Sequence, residues 1–76
     1  MLINVTVKSR PDIDTVPEIM TAIGEVEAKL GDEGRVLVRY SGTQNMCRVM
    51  VEGPSQEMTG AYCRQIADVV DKTLNA

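Results

Sequence analysis

The sequence predicts a single α+β domain in which two helices cover one face of a small, mostly antiparallel sheet. Two stretches carry apolar residues at the three- and four-residue spacings of amphipathic helices, and three shorter stretches are rich in β-branched residues. The chain has 76 residues, 43% of them hydrophobic and 25% charged, which suits a globular domain with one core. Residues 1–76 are therefore expected to form one domain.

The first strand and the start of the first helix are predicted from residues 3–18. Apolar and polar residues alternate over residues 3–8, as in a half-buried strand, before a proline and two aspartates interrupt the pattern. Thr15, followed three positions later by Glu18, fits a capping box, so we expect a helix to begin near Thr15. Pro17 suits its first turn, where backbone amides have no helical partner.

The first helix is predicted to continue as a single apolar stripe. Its members follow one another mostly at steps of three and four: Val16, Ile19, Met20, Ile23, Val26 and Leu30. Residues 31–34 then place two glycines around Asp32 and Glu33, which predicts a solvated turn that ends the helix.

Two β-branched runs follow, RVLVRY over residues 35–40 and MCRVMVE over residues 46–52. Only residues 41–45 separate them, so we expect an antiparallel hairpin. Ser55 is the expected N-cap of a second helix. The stripe predicted for that helix comprises Met58, Ala61, Tyr62, Ile66, Val69, Val70 and Leu74.

The predicted order is strand, helix, strand, strand, helix. One apolar sheet face and two apolar helix faces pack most economically with both helices on one side of the sheet. The first strand-helix-strand unit should be a right-handed crossover with room for the third strand between the other two, although the sequence leaves this order open. We expect Cys47 and the methionines at 20, 46, 50 and 58 to be core residues.

The composition argues against several classes of function. A net charge of −3, with no Phe or Trp and only Tyr40 and Tyr62 as aromatic residues, disfavours nucleic-acid and membrane-surface binding. Histidine is absent, which disfavours self-contained hydrolytic or metal chemistry. Cys47 and Cys63 match no zinc-ligand spacing, so we expect free thiols, no metal site and a cytoplasmic location.

The turn of the hairpin poses a problem of charge. In a hairpin centred on Thr43 and Gln44, Arg39 lies across from Arg48 on the same face, where like charges repel. Two explanations stay open at this point. The side chains splay into solvent or pair with an acid such as Glu52, or an anion lies between them.

An anion suits the residue types present. The guanidinium groups of Arg39 and Arg48 can each donate two parallel hydrogen bonds to a phosphate, and the hydroxyls of Ser41 and Thr43 add further donors. Gly42, which has no Cβ, can adopt positive φ and let backbone amides close around an oxyanion. These five residues form the candidate phosphate-binding site, and no catalytic residue is assigned.

Residues 34–54, GRVLVRYSGTQNMCRVMVEGP, resemble the C-terminal phosphate-binding segment of the α-D-phosphohexomutases. That family's pattern is R-x-S-G-T-E-P and a second arginine inside a hairpin ending V-M-V-E-G. The resemblance extends over essentially the whole chain and is greatest to bacterial members that act on amino-sugar phosphates. It implies a TATA-box-binding-protein-like fourth domain of a larger multidomain mutase, in which Arg39, Ser41, Gly42, Thr43 and Arg48 hold the phosphate that is not being transferred.

The resemblance also implies a reaction for the whole enzyme. Glucosamine 6-phosphate and glucosamine 1-phosphate would be interconverted through a phosphoserine and a bisphosphorylated sugar, with Mg²⁺, on other domains. The present chain would be inactive alone and would contact those domains and the phosphorylated hexosamine or hexose. The alternatives are a mannose- or glucose-phosphate mutase domain, and a free-standing regulatory or interaction domain.

The sequence departs from the family pattern at Gln44 and Asn45, where Glu-Pro is usual. Proline restrains its own φ and the residue before it, so we expect a more mobile turn in this chain. No phosphate-contacting position is altered, so we expect phosphate binding to survive.

Overall fold

The computed structural model describes all 76 residues and contains the predicted elements in the predicted order. The three strands and two helices are β1 (Leu2–Thr6), α1 (Pro17–Leu30), β2 (Arg35–Tyr40), β3 (Met46–Glu52) and α2 (Gln56–Leu74). Short 3₁₀ turns at Ile13–Thr15 and Gly31–Glu33 flank α1. The bounds of β2 and β3 are those expected from the two β-branched runs.

The sheet has the strand order β1-β3-β2, and both of its pairings are antiparallel. The strand order, which the sequence left open, therefore has β3 as the central strand. Every odd-numbered residue of β3 is fully buried, whereas its even-numbered residues are exposed or half-buried. One face of the sheet therefore packs on the helices and the other faces solvent, which confirms the predicted α+β architecture.

The core lies between the sheet and the two helices. The longer helix, α2, contacts β1 and β3, and α1 contacts β2 and α2. Thirteen buried residues form one cluster: Val7, Ile19, Ala22, Val26, Leu30, Cys47, Val49, Val51, Cys63, Ile66, Ala67, Val70 and Leu74. Neither helix combines the length and apolarity needed to cross a membrane.

The predicted capping box at the start of α1 is wrong. The N-cap residue is Val16, and no side chain caps the helix. Thr15 instead belongs to the preceding 3₁₀ turn, where its Oγ1 donates to the Asp12 carbonyl at 2.6 Å. Pro17 lies in the first turn of the helix, as predicted, and occupies its first position. Gly31 ends it with φ of 58°, a conformation that glycine adopts without strain.

The methionines are not core residues, contrary to prediction. Met20 is 42% exposed and Met58 is 53% exposed, while Met46 and Met50 are half-buried on the sheet face away from the helices. The buried face of α2 also differs from the predicted apolar stripe. Thr59, Cys63 and Ala67 are buried, whereas Met58 and Ala61, which were expected on this face, are exposed. Steps of three and four residues back from Leu74 lead to these small side chains, and the larger methionine lies one position off the buried face.

Stability should fall at alkaline pH because of the two buried thiols. Burial raises the pKa of both Cys47 and Cys63 above the ordinary value of 9.0, so the folded chain retains protons that the unfolded chain releases. The free energy of unfolding should then be nearly constant below about pH 8 and decrease as the pH rises past 9. Urea unfolding under reducing conditions between pH 7 and pH 10 measures this change.

The matched control for this pH effect is the double variant Cys47→Ala/Cys63→Ala. Its midpoint will be lower overall because two core side chains shrink, but its dependence on pH between 8 and 9.5 should be flatter than that of the wild type. An identical slope in both proteins would show that the thiols do not cause the effect.

Candidate anion-binding site

The two arginines lie where the hairpin register requires. Arg39 is the register partner of Arg48 in the β2–β3 pairing, and both side chains are exposed on the face away from the helices. The two residues line a concavity of about 330 Å³ together with Tyr40, Ser41, Gly42 and Thr43. The structure therefore brings all five predicted site residues around one surface depression, and their role as anion ligands stays a prediction.

Neither site arginine has an acidic partner. The only ion pair in the chain joins Arg35 Nε to Glu52 Oε2 at 3.0 Å, and these two residues are themselves register partners. This pair lies four positions along the strands from the Arg39–Arg48 pair, which corresponds to about 13 Å. The predicted alternative in which Glu52 neutralises the site is therefore wrong, and two cations face each other without an anion from this chain.

Ser41 organises the turn that follows β2. Its backbone N–H donates to the Met46 carbonyl at 2.8 Å, and its Oγ accepts hydrogen bonds from the amides of Thr43 and Gln44, both at 3.3 Å. The residue is only 8% exposed. The hydroxyl takes part only as an acceptor, so Ser41 can still donate its hydroxyl hydrogen while its oxygen holds the turn.

The predicted positive φ of Gly42 is wrong, because Gly31 is the only residue in the chain with positive φ. The anion-binding nest that depends on this conformation is therefore not formed. A Cβ built on Gly42 would have no heavy atom within 4 Å, so packing within the chain does not demand glycine either. The Gly42 N–H has no hydrogen-bond partner in the chain, and Gly42 is an exposed residue beside the arginines, which leaves this amide available to an external acceptor.

Residues Gln44 and Asn45 are held by backbone contacts on both sides. The Gln44 carbonyl accepts from the Met46 amide at 2.8 Å, and the Asn45 carbonyl accepts from the Val7 amide at 2.9 Å. The Asn45 amide donates to nothing, so a proline there would remove no hydrogen bond. The expected mobility of this turn stays a prediction.

We expect the double variant Gln44→Glu/Asn45→Pro to have a more rigid turn and a nearly unchanged affinity for phosphate. Amide order parameters of Gly42, Thr43 and Met46 measured in both proteins test the first part. Equal order parameters would show that the backbone contacts of residues 44 and 45 already restrain the turn as well as Glu-Pro would.

Two residues beside the turn were missed by sequence reasoning. The Tyr40 hydroxyl donates to the Pro11 carbonyl, and burial raises the pKa of this tyrosine. The Arg10 guanidinium lies over the Tyr40 ring, 5.8 Å from its centroid, and its Nη2 donates to the Ser41 carbonyl at 3.3 Å. About thirty positions separate these partners in the chain, so no local pattern could have joined them.

Cys47 lies directly beneath the site but is not part of it. Its side chain is fully buried on the helix-covered face of the sheet, and Arg48 lies on the other face, as alternation along β3 predicted. Both thiols are free. The chain contains no group of three or more Cys, Asp or Glu residues arranged to hold a metal ion, so we assign no magnesium ligand to it.

Comparison with known proteins places this chain in a family. The model of the phosphoglucomutase/phosphomannomutase C-terminal domain matches residues 2–69. The phosphoglucosamine mutase of Syntrophobacter fumaroxidans is 72% identical over 69 residues, and that of Syntrophus aciditrophicus is 71% identical over 73 residues. The phosphoglucosamine mutase of Chlamydia caviae is 51% identical over 75 residues.

These matches cover nearly the whole chain but only a small part of each relative. They include 91%, 96% and 99% of the present chain and 15%, 16% and 16% of the respective relatives. The resemblance of the R-x-S-G-T segment to phosphohexomutases, and most closely to bacterial phosphoglucosamine mutase, is thus confirmed over the chain as a whole. The chain belongs to the family of C-terminal domains of phosphoglucomutases and phosphomannomutases.

Proposed function

We propose that this domain binds the phosphate group of a hexosamine phosphate at Arg39, Ser41, Gly42, Thr43 and Arg48. The observation that carries the proposal is that two arginines without acidic partners face each other across the hairpin. They lie beside a turn that has a free amide and two hydroxyls. In a chain with net charge −3, two adjacent cations without a carboxylate partner are most simply explained by an anion from outside.

The energies favour an occupied site. A hydrogen bond to a charged group contributes a net ~1.5–3 kcal/mol, so three or four such bonds to a phosphate outweigh a cross-strand repulsion of about 1 kcal/mol or less. Each guanidinium can present two parallel donors, and the Gly42 amide adds a donor that needs no side-chain ordering. The site is shallow and open, which suits a phosphate held at one end of a larger ligand.

We further propose that residues 1–76 act as the phosphate-binding C-terminal domain of a larger multidomain phosphoglucosamine mutase. The named relatives support this assignment, and about five-sixths of their length lies outside the matched region. Interconversion of glucosamine 6-phosphate and glucosamine 1-phosphate would take place on the other domains, which would hold the phosphoserine and Mg²⁺. The present chain would be inactive alone. The two buried free thiols fit a reducing cytoplasm.

In such an enzyme the domain would contribute binding energy at a distance from the reacting atoms. When the domain holds the phosphate that is not transferred, the reacting hydroxyl of the sugar is oriented. Loss of the contacts should therefore lower turnover as well as affinity. The intermediate has a phosphate at each end, and the site would accept either one. Nothing in the five residues distinguishes glucosamine from mannose or glucose, so a phosphomannomutase or phosphoglucomutase domain is the alternative within the family.

One observation favours a function of another class. Leu2, Leu37 and Met50 lie with the two arginines on the open face of the sheet, and the two leucines are 52% and 40% exposed. A free-standing interaction domain would use this face to self-associate. Sedimentation velocity distinguishes the alternatives, because an interaction domain would form dimers in the absence of any sugar phosphate.

The decisive experiment is an amide NMR titration of the domain with glucosamine 6-phosphate, inorganic phosphate and glucosamine. One phosphate site should give a roughly millimolar dissociation constant, corresponding to about −4 kcal/mol. Shifts restricted to residues 39–48 with both phosphates, and absent with glucosamine, would support the proposal. No shifts at tens of millimolar phosphate would refute phosphate binding by this domain on its own.

A further inference from the structure

We infer that Arg10 is a positioning residue for the anion-binding turn, acting through the Ser41 carbonyl and the Tyr40 ring. This inference rests on the proposed function, since it concerns how the phosphate site is shaped. It assigns a role to the segment between β1 and α1, which neither the sequence motif nor the family match connects to the site.

The contacts of Arg10 converge on the first residues of the turn. Its Nη2 donates to the Ser41 carbonyl at 3.3 Å, and its guanidinium lies over the Tyr40 ring. The Tyr40 hydroxyl donates back to the carbonyl of Pro11, the residue next to Arg10. The two segments are therefore joined by reciprocal contacts, from Arg10 to the turn and from Tyr40 to the β1–α1 segment.

The hydrogen bond to the Ser41 carbonyl fixes the orientation of the peptide plane between Ser41 and Gly42. In a trans peptide the C=O and the following N–H point in opposite directions. When Arg10 holds the Ser41 carbonyl on one side, the Gly42 N–H is directed to the other, and that N–H has no partner in the chain. We infer that Arg10 thereby presents the Gly42 amide to the phosphate and keeps the carbonyl away from it.

Arg10 acts indirectly because it does not line the concavity. The residues around that depression are Arg39 to Thr43 and Arg48, and Arg10 is absent from them. A third cation serving only by its charge would need no hydrogen bond to a carbonyl and no aromatic contact. The geometry instead places Arg10 behind the turn, where it determines the direction of a donor.

The test compares Arg10→Ala and Arg10→Lys with Lys8→Ala, in the full 76-residue chain. Lys8 is a matched control, since it lies two positions away, carries the same charge, and its exposed side chain makes no hydrogen bond or ion pair. Without ligand, Arg10→Ala should displace the Gly42 amide resonance, while Lys8→Ala leaves it unchanged. With inorganic phosphate, Arg10→Ala should weaken binding about 5- to 10-fold and Lys8→Ala less than about 2-fold.

The controls separate positioning from charge. At 0.5 M salt, where charges in water are screened over about 4 Å, the deficit of Arg10→Ala should persist, and Arg10→Lys should restore part of the affinity. Equal weakening by Arg10→Ala and Lys8→Ala would overturn the inference, as would an unchanged Gly42 amide in Arg10→Ala while the wild type binds phosphate. A wild-type chain that binds no phosphate would instead overturn the proposed function on which the inference depends.

Discussion

Replacing Gly34 with alanine should destabilise the domain by about 3 kcal/mol or more, at or beyond the upper end of the usual range for overpacking. The new Cβ would overlap the Glu52 carbonyl oxygen and stand 3.2 Å from the Gly53 Cα. Both neighbours are backbone atoms, which cannot rotate aside as a side chain does. A domain of this size has only a few kcal/mol of stability in total, so much of the protein should be unfolded at 25 °C.

The expected cause of this loss is purely steric. Gly34 has φ of −161°, which is ordinary extended backbone for any residue. Making room for the Cβ requires the start of β2 to move away from the end of β3, which separates the register partners Arg35 and Glu52. Urea denaturation followed by circular dichroism measures the change in the free energy of unfolding.

Gly24→Ala is the matched control for Gly34→Ala. Gly24 lies on an exposed face inside α1, and a Cβ there meets no heavy atom within 4 Å. Alanine has the higher helix propensity, so this variant should be more stable by about 0.8–1 kcal/mol. If Gly34→Ala were as stable as the wild type, the close approach of residue 34 to residue 52 would not exist in solution.

Removing both site arginines should abolish phosphate binding and, at the same time, slightly stabilise the fold. The double variant Arg39→Gln/Arg48→Gln loses the paired guanidinium donors, and each single variant should weaken phosphate binding at least about tenfold. The fold should gain up to about 1 kcal/mol, because two like charges no longer face each other across the hairpin. A loss of phosphate affinity together with a gain in the free energy of unfolding would indicate that the two arginines serve a ligand and not the fold.

The control for charge is Arg35→Gln. Arg35 lies on the same strand and the same face, but its partner is Glu52, and both side chains are more than half exposed. Its loss should change stability by about 1 kcal/mol or less and phosphate affinity less than about twofold. If all three arginine variants weakened phosphate binding equally, the attraction would come from overall charge and the proposed site would be wrong.

The sequence was sufficient for those parts of the site that follow from strand geometry. The bounds of β2 and β3 followed from β-branched runs, and a hairpin centred on Thr43 and Gln44 was enough to place Arg39 opposite Arg48. The Ser55 N-cap was also predicted correctly, since its Oγ accepts from the Met58 amide. These features depend on residues close together in the chain.

Features that depend on a choice between competing local hydrogen bonds, or on distant partners, were not predictable in this way. Thr15 has the residue type of an N-cap, yet a 3₁₀ turn uses its hydroxyl, and Gly42 has the residue type of a positive-φ position, yet the turn closes through the Ser41 hydroxyl. The contacts of Arg10 with Tyr40 and Ser41 form only when the segment after β1 folds against the hairpin. Competing local hydrogen bonds accompany the first two outcomes, and tertiary packing decides the third.

The central position of β3 has a consequence for any attempt to miniaturise the site. A peptide spanning residues 34–53 would contain Arg39, Arg48 and the whole turn, but β3 would keep only one of its two neighbouring strands. It would also lack Val7, whose amide donates to the Asn45 carbonyl. Isolated two-stranded hairpins are marginally stable in water, so the peptide should not reproduce the affinity of the domain. We therefore expect phosphate binding to require the cooperative folding unit and to be lost in the same thermal transition as the tertiary structure.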